Sequence, residues 1–96
     1  MIKFGTEKTT SDILTELAQK HKALRKQCRL SQSELAKRSG VSLGSIKRFE
    51  NTGQISLESL LKLAQLLNRI GDFELIFKMD NDLNNIEKLF SDRTKK

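Results

Sequence analysis

Between Leu30 and Leu57 the chain carries helix start and stop signals so closely spaced that only short helices fit between them. Ser31-Gln32-Ser33-Glu34 is a capping box. The serine hydroxyl takes one orphan amide of a helix start, and the Glu side chain reaches back to another. Leu35 and Ala36 face inward, and Gly40 ends this helix because the chain must turn there through positive φ. Val41 occupies the turn, and Ser42 caps a third short helix, 43–50, with Ile46 and Phe49 inward. Asn51-Thr52-Gly53-Gln54 is turn chemistry. Ser56 caps a fourth helix over 57–68, with Leu57, Leu60, Leu61, Ala64 and Leu67 on its inner face, and Asn68 to Gly71 closes it.

The flanks follow the same periodic logic. Residues 1–9 form a polar arm anchored only by Ile2 and Phe4. Thr10 or Ser11 caps a first helix over 11–28, with Asp12 favourably placed in its first turn. Its apolar stripe runs Leu14, Leu17, Ala18, His21, Leu24, Cys28, beside a basic flank of Lys22, Arg25, Lys26 and Arg29. From Asp72 the pattern is ambiguous. Phe73, Ile76 and Phe77 fit a short helix capped by Asp72, whereas Phe73, Leu75 and Phe77 fit a strand. The helix is preferred, because a helical body needs one more apolar piece to close its core. Residues 80–85 are polar, and Leu83, Ile86, Leu89 and Phe90 suggest a last amphipathic turn before a frayed tail. The expected organisation is an arm (1–9), one helical domain (10–79) and a C-terminal extension (80–96).

Charge narrows the class. Residues 20–48 hold nine bases and one acid, Glu34, whereas residues 49–92 hold eight acids and four bases. A basic block inside a folded region points to a polyanionic partner, with a basic solvated surface as the plain alternative. Five Phe are the only aromatics, which argues against stacking platforms for single strands. One Cys and one His exclude a disulfide framework and the usual structural metal site. No apolar run approaches the roughly 20 residues of a membrane helix. No signal-peptide pattern opens the chain, so the cytoplasm is the expected compartment.

Two short helices joined through Ser39-Gly40-Val41-Ser42 make a helix-turn-helix. Small Ala36 lets the second helix cross closely, Val41 and Ile46 plug the gap, and the second helix is held where it can enter a major groove. This stretch resembles the Xre/Cro-repressor family of DNA-binding proteins. The resemblance covers Leu24 to Leu67 and rests on Leu30-Ser31-Gln32, Glu34-Leu35-Ala36, Gly40-Val41-Ser42, Ser45-Ile46, Phe49-Glu50-Asn51 and Ser56 to Leu61. It implies an all-α, five-helix bundle of the lambda-repressor type, a symmetric homodimer and a palindromic double-stranded DNA operator. A narrower similarity, in Ser42 to Ser45, Arg48-Phe49-Glu50, Gly53 to Leu57 and Asp72-Phe73, is to HipB-type antitoxins. It implies a partnership with a HipA-like kinase toxin.

The resemblance also implies roles. The recognition helix is 43–50, with Leu43, Gly44 and Ser45 facing base edges and Lys47 and Arg48 one turn later. Arg48 suits a bidentate guanine contact, Lys47 a base or a phosphate, and Leu43 a thymine methyl. Gln32, Ser42, Asn51 and Thr52 face phosphates, and Arg25, Lys26 and Arg29 supply charge. Gly44 departs from the polar residue usual there. It costs about 1 kcal/mol of helix stability against Ala and favours some readout of DNA shape. Phe73, Ile76 and Phe77 are expected in the core or at a dimer interface.

Other features read more plainly. His21 is a packed or boundary histidine, and Cys28 a small buried hydrophobe, with redox sensing as a minor alternative. Asp80 and Asp82 lack the Gly and distal Glu of a calcium loop and read as a turn. No nucleophile–base pair or phosphate-cradling loop appears, so neither catalysis nor a cofactor is expected. The reading is a DNA-binding repressor. Its competitor is a protein-interaction module that neutralises a partner without reading an operator.

Overall fold

The structure, a computed structural model, describes residues 7–79. Most of the arm lies outside these residues, as do the Asp80/Asp82 turn and the apolar positions Leu83, Ile86, Leu89 and Phe90. The fold is all-helical, with α1 Thr10–Gln27, α2 Gln32–Ser39, α3 Leu43–Thr52, α4 Leu57–Leu66 and a 3-10 helix Ile70–Leu75. No strand occurs among the described residues.

Hydroxyl caps set all four α-helix starts. In α2 the Glu34 amide donates to Ser31 Oγ at 3.0 Å, and the Ser31 amide donates to the Glu34 carboxylate at 2.8 Å. The cap of α1 is Thr9, not Thr10 or Ser11. Asp12 completes the reciprocal pair, with 3.0 Å for each bond, because an acid three residues after the cap can reach back to its amide. Ser42 and Ser56 cap α3 and α4 as expected.

The core is built around Leu35, Ile46, Phe49 and Leu63, all fully buried, with Ala18, Val41 and Leu67 beside them. Helix α1 packs on α3, α2 on α3 and α4, and α4 on the 3-10 helix. Gly40 takes φ 80°, which makes the tight turn inexpensive there. Gly53 takes φ 82°, and it also permits a close crossing: a Cβ there would stand 2.8 Å from the Leu14 carbonyl oxygen.

Several expectations are corrected. Leu57 is 66% exposed at the first position of α4, and Leu63 faces the core instead. The inner stripe is Leu60, Leu63, Ala64 and Leu67, which keeps the three- and four-residue spacing. Cys28 caps the C-terminus of α1 and is exposed, not buried. After α4, the helix is neither capped by Asp72 nor long enough to include Ile76 and Phe77. The Asp72 carboxylate pairs with Arg69 at 2.9 Å. Phe73 is half-buried, whereas Ile76 is 53% and Phe77 97% exposed.

Helix α1 ends with an unusual choice. The Leu30 amide donates to the Arg25 carbonyl and the Arg29 amide to the Lys26 carbonyl, the bond pattern that closes a helix through a left-handed residue. That residue is Arg29, at φ 61°, where glycine would be the less strained occupant.

Candidate nucleic-acid interface

Helix α3 divides cleanly. Ile46 and Phe49 are buried, and the Glu50 side chain, 2% exposed, turns the same way. Gly44, Lys47, Arg48, Asn51 and Thr52 are exposed, and Leu43 and Ser45 are half-buried at the margins. The positions expected to face base edges therefore share the outer surface of α3 or border it.

Their free hydrogen-bonding capacity differs. An Arg48 guanidinium nitrogen donates to Gln54 Oε1 at 2.9 Å, which ties it towards the loop after α3. The Thr52 hydroxyl donates to the Arg48 carbonyl at 2.7 Å and accepts from the Gln54 amide at 3.1 Å. Its single proton is thus committed, so Thr52 is not placed to donate to a phosphate. Ser42 Oγ lies 2.9 Å from Ser45 Oγ and accepts the Ser45 amide. Asn51, Lys26 and Arg29 are exposed.

Arg25 is the main correction. Expected among the phosphate-facing cations, it is 6% exposed and points inward. Its Nε and Nη2 donate to the two Glu50 oxygens at 2.9 Å each, and Nη1 donates to the Leu30 carbonyl at 2.8 Å. Gln32, half-buried at the start of α2, donates its amide to Glu50 Oε1 at 3.0 Å. Gln32 thus belongs partly to this internal network and only partly to the surface.

His21 completes the network. Its Nδ1 stands 2.8 Å from Glu50 Oε2, and its ring meets Phe49 edge-to-face at 5.1 Å. A carboxylate this close favours the proton on Nδ1, although the contact does not have hydrogen-bond geometry, and Nε2 is buried without a partner among the described residues. Burial lowers the His21 pKa from its ordinary value, and the Arg25 charge adds to this against the opposing pull of Glu50. Burial pushes the Glu50 carboxyl up, but the hydrogen bonds from Arg25 and Gln32 and the neighbouring positive charge outweigh it, so its pKa lies below the usual carboxylate value.

Sequence reasoning missed Glu50 as the centre of this network. Its one visible signal was an acid adjoining a strongly basic block, next to an inward-facing Phe49. The partners of that acid lie on two other helices, and only the packing brings them together. The network fixes α3 against α1 and α2 by directional bonds, and so sets which face of α3 is presented outward.

With Arg25 turned inward, eight of the nine bases between residues 20 and 48 are exposed. No helix among the described residues is long and apolar enough to cross a membrane. A helix-turn-helix family model matches residues 22–73, more than half of the chain. The match begins within α1 and ends in the 3-10 helix, so it spans α2, α3 and α4 entire and the members of the Glu50 network other than His21. No curated protein and no solved structure matches the chain.

Proposed function

We propose, from the premise that this chain belongs to the helix-turn-helix family of DNA-binding transcription regulators, that it is a cytoplasmic repressor. In this reading it binds a palindromic double-stranded operator as a homodimer. The observation that carries the reading is the outer face of α3. Gly44, Lys47 and Asn51 are exposed there with no side-chain hydrogen bond among the described residues, and the Arg48 guanidinium is tied among them to the exposed Gln54 amide. Exposed Lys20, Lys22, Lys26 and Arg29 on α1 and its end supply the non-specific attraction to phosphates.

The dimer reading draws on Ile76 and Phe77, exposed directly after the 3-10 helix, with half-buried Phe73 leading into them. Leu75 and Met79 are further exposed apolar residues of the same segment. Two recognition helices on one face of DNA stand about 34 Å apart, which a twofold dimer through this end of the chain would have to satisfy. Sedimentation at micromolar concentration, with and without DNA, tests it. A monomer in both conditions would refute it.

Arg48→Ala and Lys26→Ala separate the two kinds of DNA contact. If Arg48 pairs with guanine, its loss costs about 1–3 kcal/mol at one base position. Loss of Lys26 weakens all duplexes alike and lowers the salt slope by about one. Titrations on selected and scrambled duplexes at several salt concentrations decide between them. No effect from either substitution would favour the protein-interaction reading. The narrower role, antitoxin of a HipA-like kinase, rests on the residues quoted for that similarity, and co-purification with such a kinase tests it.

A further inference from the structure

Gly44 has no structural reason to be glycine. Gly40 and Gly53 adopt positive φ, but Gly44 sits within α3 with ordinary helical geometry. Outside its own helical turn, no atom of the described residues lies within 4 Å of where its Cβ would stand. A residue with a side chain fits without a clash and stabilises the helix, since glycine is among the poorest helix formers. The missing group leaves a bare strip of backbone on the exposed face of α3. Helical side chains lean towards the N-terminus. Lys47 and Arg48, three and four residues on, therefore lie alongside that strip.

Resting on the reading of α3 as a DNA-reading helix, we infer that the bare backbone at Gly44 is the receptor for a thymine C5-methyl group. The inference has two parts. A surface without a Cβ lets α3 approach the floor of the major groove more closely than an ordinary helix can. Where a Cβ would stand the strip offers Cα–H and is bordered by half-buried Leu43. The Gly44 amide, which the first turn of α3 leaves without an intrahelical acceptor, points along the helix axis and not out of this side. Among the groups that the four bases present in the major groove, the thymine methyl is the apolar one, so it is the complement of such a strip. Gly44 acts by absence. A Cβ at this position and a methyl on the base would compete for the same space.

This competition is measurable as a cycle between one protein carbon and one DNA carbon. A preferred duplex is selected from a random pool with the wild-type protein. Each thymine is then replaced singly by deoxyuridine, and binding of wild type and Gly44→Ala is measured at fixed salt. At one thymine per half-site, removing the methyl should weaken the wild type roughly fourfold, the worth of one buried methyl group. Gly44→Ala should bind the thymine duplex about tenfold more weakly than wild type, and should recover most of that loss on the deoxyuridine duplex at that position. Its melting temperature should rise by about 4 °C, which shows that the loss is not one of folding. Equal binding of the thymine duplex by both proteins overturns the inference. So does an identical response of both proteins to deoxyuridine at every position. If the wild type enriches no sequence at all, the DNA-reading assignment of α3 falls, and this inference falls with it.

Discussion

Arg25 and Glu50, 25 residues apart in the chain, meet as a fork: two parallel N–H···O bonds of 2.9 Å join the guanidinium of α1 to the carboxylate of α3. Both side chains are almost completely buried, at 7% and 2% exposed. The pair is worth more for geometry than for net stabilisation, because desolvating two ions offsets much of their attraction. Removing one partner is a different matter.

Glu50→Ala leaves Arg25 buried without a counter-charge and takes the acceptor from Gln32. The expected cost is about 3–5 kcal/mol of folding stability, measured by urea denaturation. A loss below about 1 kcal/mol would show that the fork contributes little to holding α3.

The same network makes stability depend on pH in one direction. The His21 pKa in the folded protein lies below its ordinary value of 6.5, so below that pH the unfolded chain binds more protons. The His21 contribution is then complete above about pH 6.5 and is lost as pH falls towards the lowered folded value. The Glu50 pKa lies below its ordinary 4.5. Its contribution is present above 4.5 and is lost as pH falls through the folded value. Thermal melts should be flat from pH 7 to 8, decline below about 6.5 and decline further below 4.5. His21→Gln should remove the upper part of the decline. A melting temperature that rises from pH 7 to 5 would contradict the assignment.

Gly53→Ala should destabilise the protein for two separate reasons. It places a side chain at φ 82° and drives a Cβ to within 2.8 Å of the Leu14 carbonyl oxygen, a backbone atom that can move only if α1 moves. Left-handed strain of about 1–2 kcal/mol adds to an overpacking cost of similar size. Gly40→Ala, at φ 80° with open space around it, should incur only the first. Parallel chemical denaturation of the two variants separates the effects. Equal losses would mean that the close crossing with α1 carries no cost.

Arg29→Gly tests an exchange of stability for charge. Glycine removes the strain at φ 61° and should raise stability by about 1 kcal/mol. It should also lower the salt slope of DNA binding by about one, if Arg29 reaches a phosphate. Calorimetry and salt titration read the two effects independently. A drop in stability would show that the guanidinium is anchored to the protein.

Local chemistry was largely legible in the sequence where the cause lay within four or five residues, the Thr9/Asp12 box of α1 excepted. The Ser31/Glu34 box, the Ser42 and Ser56 caps and the left-handed Gly40 are all fixed by neighbours along the chain. The exposed face of α3 was legible too, because Ile46 and Phe49 set its phase. Arg25 was misplaced because its flank on α1 looks continuous with Lys22, Lys26 and Arg29. Only the position of Glu50 in space distinguishes it. Leu57 and Leu63 show the same limit. Both suit the inner side of α4 by type, and the packing of the neighbouring helices decides which is covered. From Asp72 the apolar spacing fitted a short helix or a strand, and the structure adopts the preferred helix, as a 3-10 helix Ile70–Leu75 that starts before Asp72, whose carboxylate is drawn to Arg69.

The Glu50 network also bears on the order in which the chain can fold as it is made. Arg25 is synthesised 25 residues before Glu50, and until Glu50 is added α1 and α2 lack their shared acid. During that interval Arg25 has no carboxylate to enter the interior with, and an unpaired buried guanidinium is too costly to hold. The first two helices therefore cannot settle into their final packing early, however good their own caps are. They must wait for the last turn of α3. A nascent fragment ending at Thr52 should remain open like one ending at Arg48, because the Leu63, Ala64 and Leu67 side of the core is still missing, and one extended past Leu67 should close, so that α3 is locked into place in the same event that completes the core it rests on.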